Sequence, residues 1–214
     1  MLANSSETIR LLERAAQGDH ADWGTLLTKH RERLCRMVAL RLDRRLQGRI
    51  DPSDVIQEAY LEAWSRLAEY LRDPKMPFFL WLRYLAGQKL VTLHRHHLGV
   101  QMRDPALEVS LYRGSLPEAT SAALAAQLLG RDTRPSEAAI RAEMKIRLQE
   151  ALNSMEAIDR EVLALRHFEQ LSRSECAHLL AISEAAVSKR YFRALKRLKE
   201  ILTSMPGGEG EFWP

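Results

Sequence analysis

The sequence contains few cysteine, glycine, proline and aromatic residues. Two of its 214 residues are cysteine, and Phe, Trp and Tyr together make up 7%. Cys35 and Cys176 lie far apart within apolar helical stripes, so we expect buried thiols in a reducing compartment and no disulfide framework. The low glycine and proline content, with Ala, Leu, Arg and Glu dominant, favours an all-α fold.

The sequence also lacks long apolar runs and the motifs of common enzymes. The first residues have no apolar signal-peptide segment, and no run approaches the length of a membrane span, so we expect a cytoplasmic protein without a membrane span. No Gly-rich phosphate loop, HExxH, CxxC or serine elbow occurs. His94, His96 and His97 have no nearby Cys or carboxylate, so we expect them to extend a basic surface. We therefore predict no enzyme, no catalytic residue, no cofactor and no metal.

The net charge is +4, but it is unevenly distributed. Residues 29–49 and 189–199 are cationic, whereas residues 51–69 are acidic. Two basic segments suit a polyanion such as a nucleic acid. The acidic segment requires a different explanation.

The clearest motif is Leu171–Leu202, which has the pattern of a helix-turn-helix. A short helix Ser172–Leu180 precedes Ser183, a good N-cap, and a longer helix starts at Glu184. The longer helix has one apolar stripe, and its other face carries many cations with almost no acid to balance them. Such a helix can enter the major groove, with its N-terminal residues toward base edges. Two packed helices with a solvated basic face are the alternative interpretation.

Apolar spacing and capping residues predict the other helices. Their predicted bounds are Ser5 or Ser6 to Ala16, Ala21–Leu46, Pro52–Leu71, Phe78–His97, Pro135–Met155 and Ala157–Phe168. The Ala21–Leu46 helix is expected to have Arg31, Arg33, Arg36, Arg41, Arg44 and Arg45 on its outer face. Residues 98–134 break the helical rhythm and are expected to link two domains, with a short helix allowed around residues 117–129.

Two further surfaces are candidates for binding. In the Pro52–Leu71 helix, Leu61 lies on the polar face, ringed by acidic side chains that include Glu62. It is either an ordinary exposed leucine or a docking patch for a basic protein. The Phe78–His97 helix interleaves aromatic and basic residues, a composition suited to unpaired bases. Trp81 and Tyr84 are alternatively core residues.

Three segments in this order resemble a known family. Asp54–Trp64 (DVIQEAYLEAW), Phe78–Ala86 (FFLWLRYLA) and the helix-turn-helix resemble bacterial RNA polymerase sigma factors of the extracytoplasmic-function (ECF, group IV) type. The likeness covers about residues 8–97 and 140–202. It implies two small helical domains: region 2 (residues 1–98) and region 4 (135–205), joined by a long linker (99–134) and followed by a disordered tail (206–214).

The resemblance also implies partners and site residues. The partners would be core RNA polymerase (β′ clamp and β flap), promoter DNA and, as in many family members, an anti-sigma factor. The contact with core polymerase would involve Asp54, Gln57, Glu58 and Leu61. Recognition and melting of the minus-ten element would involve the loop Arg72–Pro77 and Trp81, Arg83, Tyr84, Lys89 and Arg95. Reading of the minus-thirty-five element would involve Glu184, Ala185, Ser188, Lys189, Arg190 and Arg193.

The sequence departs from the family pattern in three places. Gln88 and Thr92 stand where Asn and Asp are frequent, so the base preference at the minus-ten element is open. Ala181 stands where the turn usually has Gly, which costs about 1 kcal/mol if the backbone there is left-handed. The linker is also longer than family members usually need.

Two other functions stay open at this point. A stand-alone helix-turn-helix repressor or activator would use the Leu61 surface as a dimer seam or sensor. An all-helical interaction protein would not bind DNA at all.

Overall fold

The computed structural model describes residues 4–98, 119–129 and 138–203, and all of its regular elements are helices. The chain divides into two compact units, Met1–Pro117 and Glu118–Pro214. None of the described helices is long and apolar enough to cross a membrane.

The described residues of the first unit form five helices. They are α1 (Ser6–Ala16), α2 (His20–Arg41), α3 (Pro52–Ser65), α4 (Leu67–Arg72) and α5 (Phe78–Leu98). Helix α2 packs against α1, α3 and α5, and α3 also packs against α5. Fully buried Leu26, Leu34 and Phe78 belong to the core between them. This packing leaves one face of α3 in solvent.

Two predicted helices of this unit are shorter than the pattern indicates. Helix α2 ends at Arg41 because Leu42 adopts an extended backbone conformation and Asp43 starts a turn by accepting the N–H of Arg45. The Pro52–Leu71 helix is interrupted at Arg66, whose backbone leaves the helical region at φ −106° and ψ 7°. The remainder forms α4.

Arg41 does not lie on the outer face of α2, as the pattern predicts. It is 1% exposed and is the largest fully buried side chain of the described residues. The prediction was wrong because α2 ends at Arg41, where the consecutive residues Leu40, Arg41 and Leu42 are all buried, so helical periodicity no longer separates outer from inner positions.

The second unit contains α6 (Ser121–Leu129), α7 (Ala138–Asn153), α8 (Ala157–Leu163), α9 (Arg173–Leu180) and α10 (Glu184–Thr203). A π-helical turn, Ala164–Phe168, extends α8. Helix α6 packs on α7, and α10 packs against α7, α8 and α9. Leu152, Val162 and Val187 are fully buried there. The short helix allowed around residues 117–129 is therefore α6, a packed part of this unit.

Both cysteines are free thiols. Cys176 is fully buried, as expected. Cys35 is only half-buried, and burial raises the pKa of its thiol.

Candidate functional site

The exposed face of α3 carries one apolar side chain among polar ones. Asp51 caps the helix by accepting the N–H of Ser53 at 2.7 Å, and Pro52 takes the first helical position. Val55, Ile56, Ala59 and Ala63 turn toward the core. The opposite face exposes Asp54, Gln57, Glu58 and Leu61. Leu61 is 73% exposed, more than any other large apolar side chain of the described residues.

Glu62 differs from the other acids of α3 because it is half-buried and faces α5. Its carboxylate lies 2.7 Å from the ammonium of Lys89 and 3.3 Å from the guanidinium of Arg66. The hydrogen bond from Lys89 is the main reason why the pKa of Glu62 is lowered. The polar ring around Leu61 therefore consists of Asp54, Gln57 and Glu58.

The aromatic and basic residues of α5 are divided between core and surface. Trp81 is 7% exposed and stacks on Tyr70, with ring centroids 4.5 Å apart, and Arg83 is also buried. Of the two interpretations left open for Trp81, the core position is the observed one, because α4 brings Tyr70 over the indole. The expectation that Arg83 lies on the surface was wrong. Tyr84 is half-buried and accepts a hydrogen bond from the amide of Gln88, whereas Arg95 is exposed. The predicted contacts of these α5 residues with DNA remain predictions.

The loop before α5 is held by Asn4, a residue that sequence reasoning missed. The Asn4 amide donates to the hydroxyl of Tyr70 at 3.0 Å, and its carbonyl accepts the N–H of Phe78 at 2.6 Å. The Tyr70 hydroxyl donates to the carbonyl of Met76 at 2.9 Å. Asn4 thus satisfies an unpaired donor at the start of α5 from a distant part of the chain.

The second unit presents a helix-turn-helix formed by α9 and α10. Ser172 starts α9 with a reciprocal capping box involving Glu175. Ala181 adopts a left-handed conformation, φ 51° and ψ 44°, as the predicted turn requires. Ser183 then accepts the N–H of Ala186 at 3.1 Å, as expected for the N-cap of α10. Glu184, Ala185, Lys189 and Arg193 are exposed, and Ser188 and Arg190 are half-exposed.

The basic face of α10 is not free of acids, contrary to the prediction. Arg190 lies 2.7 Å from Asp159 and 2.9 Å from Glu156, and Arg193 lies 3.4 Å from the same two carboxylates. The prediction was wrong because Asp159 belongs to α8 and Glu156 is its N-cap residue, and α8 packs on α10 but is distant in sequence. Among the described residues, Lys189 has no ion-pair partner, so its charge is not neutralised within this unit.

Phe192 is a surface residue that sequence reasoning missed. It is 71% exposed and follows Lys189 by three positions and precedes Lys196 by four, spacings that bring side chains together on a helix. Phe192 lies outside the apolar stripe of α10, and an aromatic residue at such a position could have been identified from the sequence as exposed.

The histidine cluster of α5 does not form a single surface. His94 is buried, and its Nε2 accepts the backbone N–H of Asp43 at 3.2 Å, whereas His96 and His97 are exposed. The expectation that His94 extends the basic surface was wrong. Within the described part of the chain, no group of three or more His, Cys, Asp or Glu residues could hold a metal ion.

Comparisons with known proteins agree on one family. A model of sigma-70 region 4 matches residues 145–198. The ECF RNA polymerase sigma factor SigD of Mycobacterium tuberculosis is 32% identical over 170 residues, which is 77% of this chain and 72% of SigD. The RNA polymerase sigma factor CnrH of Cupriavidus metallidurans is 28% identical over 203 residues, 93% of this chain and 96% of CnrH.

The fold has a counterpart among solved structures. In a structure of CnrH in complex with the cytosolic domain of CnrY, the matched chain is 23% identical and superposes with a TM-score of 0.52. The match covers 94% of this chain and 99% of that chain.

Proposed function

The chain belongs to the ECF family of RNA polymerase sigma factors, and on that premise we propose how its surfaces act in transcription initiation. The chain binds core polymerase, recognises the minus-thirty-five and minus-ten elements of a promoter and initiates transcription there. Residues 1–98 serve as region 2, residues 135–205 as region 4 and residues 206–214 as the tail. Residues 99–134 connect the two regions, and α6 within them packs on α7. Transcription takes place in the cytoplasm, so we propose that location.

The observation that carries the proposal is the exposed Leu61 within its polar ring. A leucine that is 73% exposed has much apolar area to bury against a partner. Asp54 and Glu58 next to it attract a basic surface and repel an acidic one, DNA included. We assign this patch, with Gln57, to the β′ clamp of core polymerase.

The minus-ten contact is proposed for α5 and the loop before it. Arg95 supplies an exposed cation for phosphate, and Tyr84 supplies an aromatic ring at the surface. Lys89 would have to leave Glu62 to reach a phosphate. Trp81 and Arg83 would have to leave the core to touch a base, so we propose that they act by holding the loop and α5 in place.

The minus-thirty-five contact is proposed for α10. Its first turns expose Glu184, Ala185 and Ser188, which suit base edges, and Lys189 and Arg193 suit phosphates. Phe192 adds an apolar surface that can contact a thymine methyl group. In this proposal Arg190 holds α10 on α8 rather than binding DNA, because Asp159 and Glu156 engage its guanidinium. We assign the contact with the β flap to this unit without a proposed set of residues.

Docking on polymerase explains why two modest DNA contacts suffice. Once one element of the promoter is bound, the second contact becomes intramolecular and benefits from a high effective concentration. Melting then follows when unstacked bases are captured by aromatic and cationic side chains.

Run-off transcription tests the proposal. Core polymerase is incubated with a library of genomic fragments from the source organism, with and without the purified chain. We expect transcripts with defined starts only when the chain is present. Failure of the chain to bind core polymerase, or to direct any defined start, would overturn the proposal. A stand-alone repressor would instead bind its site without polymerase.

A further inference from the structure

Four charged side chains form a network between α10 and the N-terminal end of α8, and they differ in exposure to solvent. They are Glu156, Asp159, Arg190 and Arg193. The Asp159 side chain is 4% exposed and lies 2.7 Å from Arg190. Glu156 and Arg193 are 61% and 59% exposed, and their closest atoms are 3.4 Å apart. Glu156 also lies 2.9 Å from Arg190, and Arg193 also lies 3.4 Å from Asp159. The network therefore has a buried half and a half that is open to water.

The buried half is structural. Asp159 is buried, and a buried charge without a partner is costly, so its ion pair with the half-exposed Arg190 holds both side chains in position. This pair fixes the orientation of α10 on α8 whether or not DNA is present. It leaves Arg190 little freedom to turn toward another anion.

The open half is replaceable. An exposed ion pair at this distance is weak, and the arginine has further N–H groups that can bind an anion. A carboxylate and a phosphate each offer two oxygen atoms that can accept two parallel N–H hydrogen bonds from one arginine. The Arg190 guanidinium also lowers the pKa of Glu156, so this carboxylate stays ionised at neutral pH.

We propose that Glu156 competes with DNA phosphate for Arg193 and thereby weakens the affinity of α10 for DNA. In the free protein the carboxylate of Glu156 lies 2.9 Å from Arg190 and 3.4 Å from Arg193, and it shares the Arg193 guanidinium with Asp159. DNA has to displace it, and the displaced carboxylate then lies near the phosphates and repels them. Glu156 is thus an affinity-determining residue that disfavours DNA binding by α10 alone. The inference rests on the proposed use of α10 as the recognition helix.

The test is binding of the full chain to a short fluorescent DNA duplex of mixed sequence, measured by anisotropy over a range of salt concentrations. We expect Glu156→Gln to bind roughly threefold to tenfold more tightly at low salt, with a salt slope steeper by up to about 0.9, the value for one added phosphate contact. Glu150→Gln is the matched control. It makes the same charge change at an exposed position of α7, and Glu150 has no ion-pair partner among the described residues. Equal affinities of the two variants, or weaker binding by Glu156→Gln, would overturn the proposal.

Two further variants separate this inference from the assignment of α10. In Glu156→Gln combined with Arg193→Ala, the gain should disappear, because the freed arginine is gone; a persistent gain would overturn the role of Arg193. Lys189→Ala should weaken binding by itself. If it does and Glu156→Gln gives no gain, only the competition fails. If Lys189→Ala binds like the wild type, the assignment of α10 as recognition helix fails with it.

Discussion

The ammonium group of Lys89 lies 2.7 Å from a carboxylate oxygen of Glu62. This ion pair joins α5, which we propose contacts the minus-ten element, to α3, which we propose contacts polymerase. Arg66 binds the same carboxylate from the end of α3. The charge of Lys89 is therefore partly neutralised within the protein, whereas Arg95 on the same helix is exposed.

Arg95 should thus contribute more than Lys89 to the electrostatic part of promoter binding. We expect Arg95→Ala to reduce the slope of log affinity against log salt by about 0.7–0.9, the value for one phosphate contact, and Lys89→Ala to reduce it less. The measurement is binding of the reconstituted holoenzyme to a promoter that it transcribes in vitro. Glu62→Gln, which frees Lys89, is the control and should steepen the slope. Equal effects of the two alanine variants would contradict the prediction.

Trp81 should behave as a core residue. Its indole is buried against Tyr70, so Trp81→Ala should lower the free energy of unfolding of the first unit by about 3–5 kcal/mol. Tyr84→Ala, at a half-exposed position, should cost much less. Urea unfolding followed by fluorescence measures this unit, because Trp23 and Trp64 remain there in the variant. If the Trp81→Ala protein were as stable as wild type and defective only in promoter opening, the core role of Trp81 would be contradicted and a direct contact with DNA would be supported.

Much of the fold and of the two exposed surfaces could be predicted from local patterns. Leu61 is exposed because it lies on the face of α3 opposite the buried apolar stripe, and helical periodicity alone predicts that position. Ser183 caps α10 because hydroxyl capping is a local interaction. The left-handed backbone at Ala181 was indicated only by the resemblance, since the turn usually has Gly at this position.

Ala181 is a position where a substitution should stabilise the protein. A left-handed conformation is unfavourable for Ala and acceptable for Gly, so Ala181→Gly should stabilise the helix-turn-helix by about 1 kcal/mol. Ala177→Gly within α9 should instead destabilise it by about 1 kcal/mol. Amide hydrogen exchange of α9 and α10 measures both changes. Destabilisation by Ala181→Gly would contradict the left-handed conformation.

The remaining features depend on contacts between distant segments, which local patterns do not encode. Asp159 meets Arg190 only because α8 packs on α10. Asn4 and Phe78 are 74 residues apart in the sequence, and no local pattern around Asn4 indicates the hydrogen bond between them. Arg41 is buried at the point where α2 ends, and helical periodicity does not predict that end.

His30 should make the first unit sensitive to acid. It lies in the core beside Phe79, with ring centroids 5.3 Å apart, and neither ring nitrogen has a hydrogen-bond partner within the described residues. Burial lowers the pKa of His30 from 6.5 to about 4. Between these values the unfolded chain binds a proton that the folded chain does not. Stability is therefore fully present above about pH 6.5 and decreases as the pH falls toward 4.

The corresponding measurement compares wild type with His30→Leu in urea at pH 7 and pH 5. Wild type should lose up to about 2 kcal/mol more than the variant between these pH values, from 1.36 kcal/mol per unit of pKa shift. Other groups titrate in both proteins, so the difference isolates His30. Identical losses would contradict the burial of an unprotonated imidazole.

The most direct test of the account is the affinity of core RNA polymerase for Leu61→Ala, with Ile9→Ala as the control at another exposed apolar residue of the same unit. Both variants should unfold within about 0.5 kcal/mol of wild type, because neither side chain is buried. We expect Leu61→Ala to weaken polymerase binding about thirtyfold, the 2 kcal/mol of an interface hot spot, and Ile9→Ala to leave it unchanged. Wild-type affinity of the Leu61→Ala protein would contradict the claim that this face of α3 attaches the chain to polymerase.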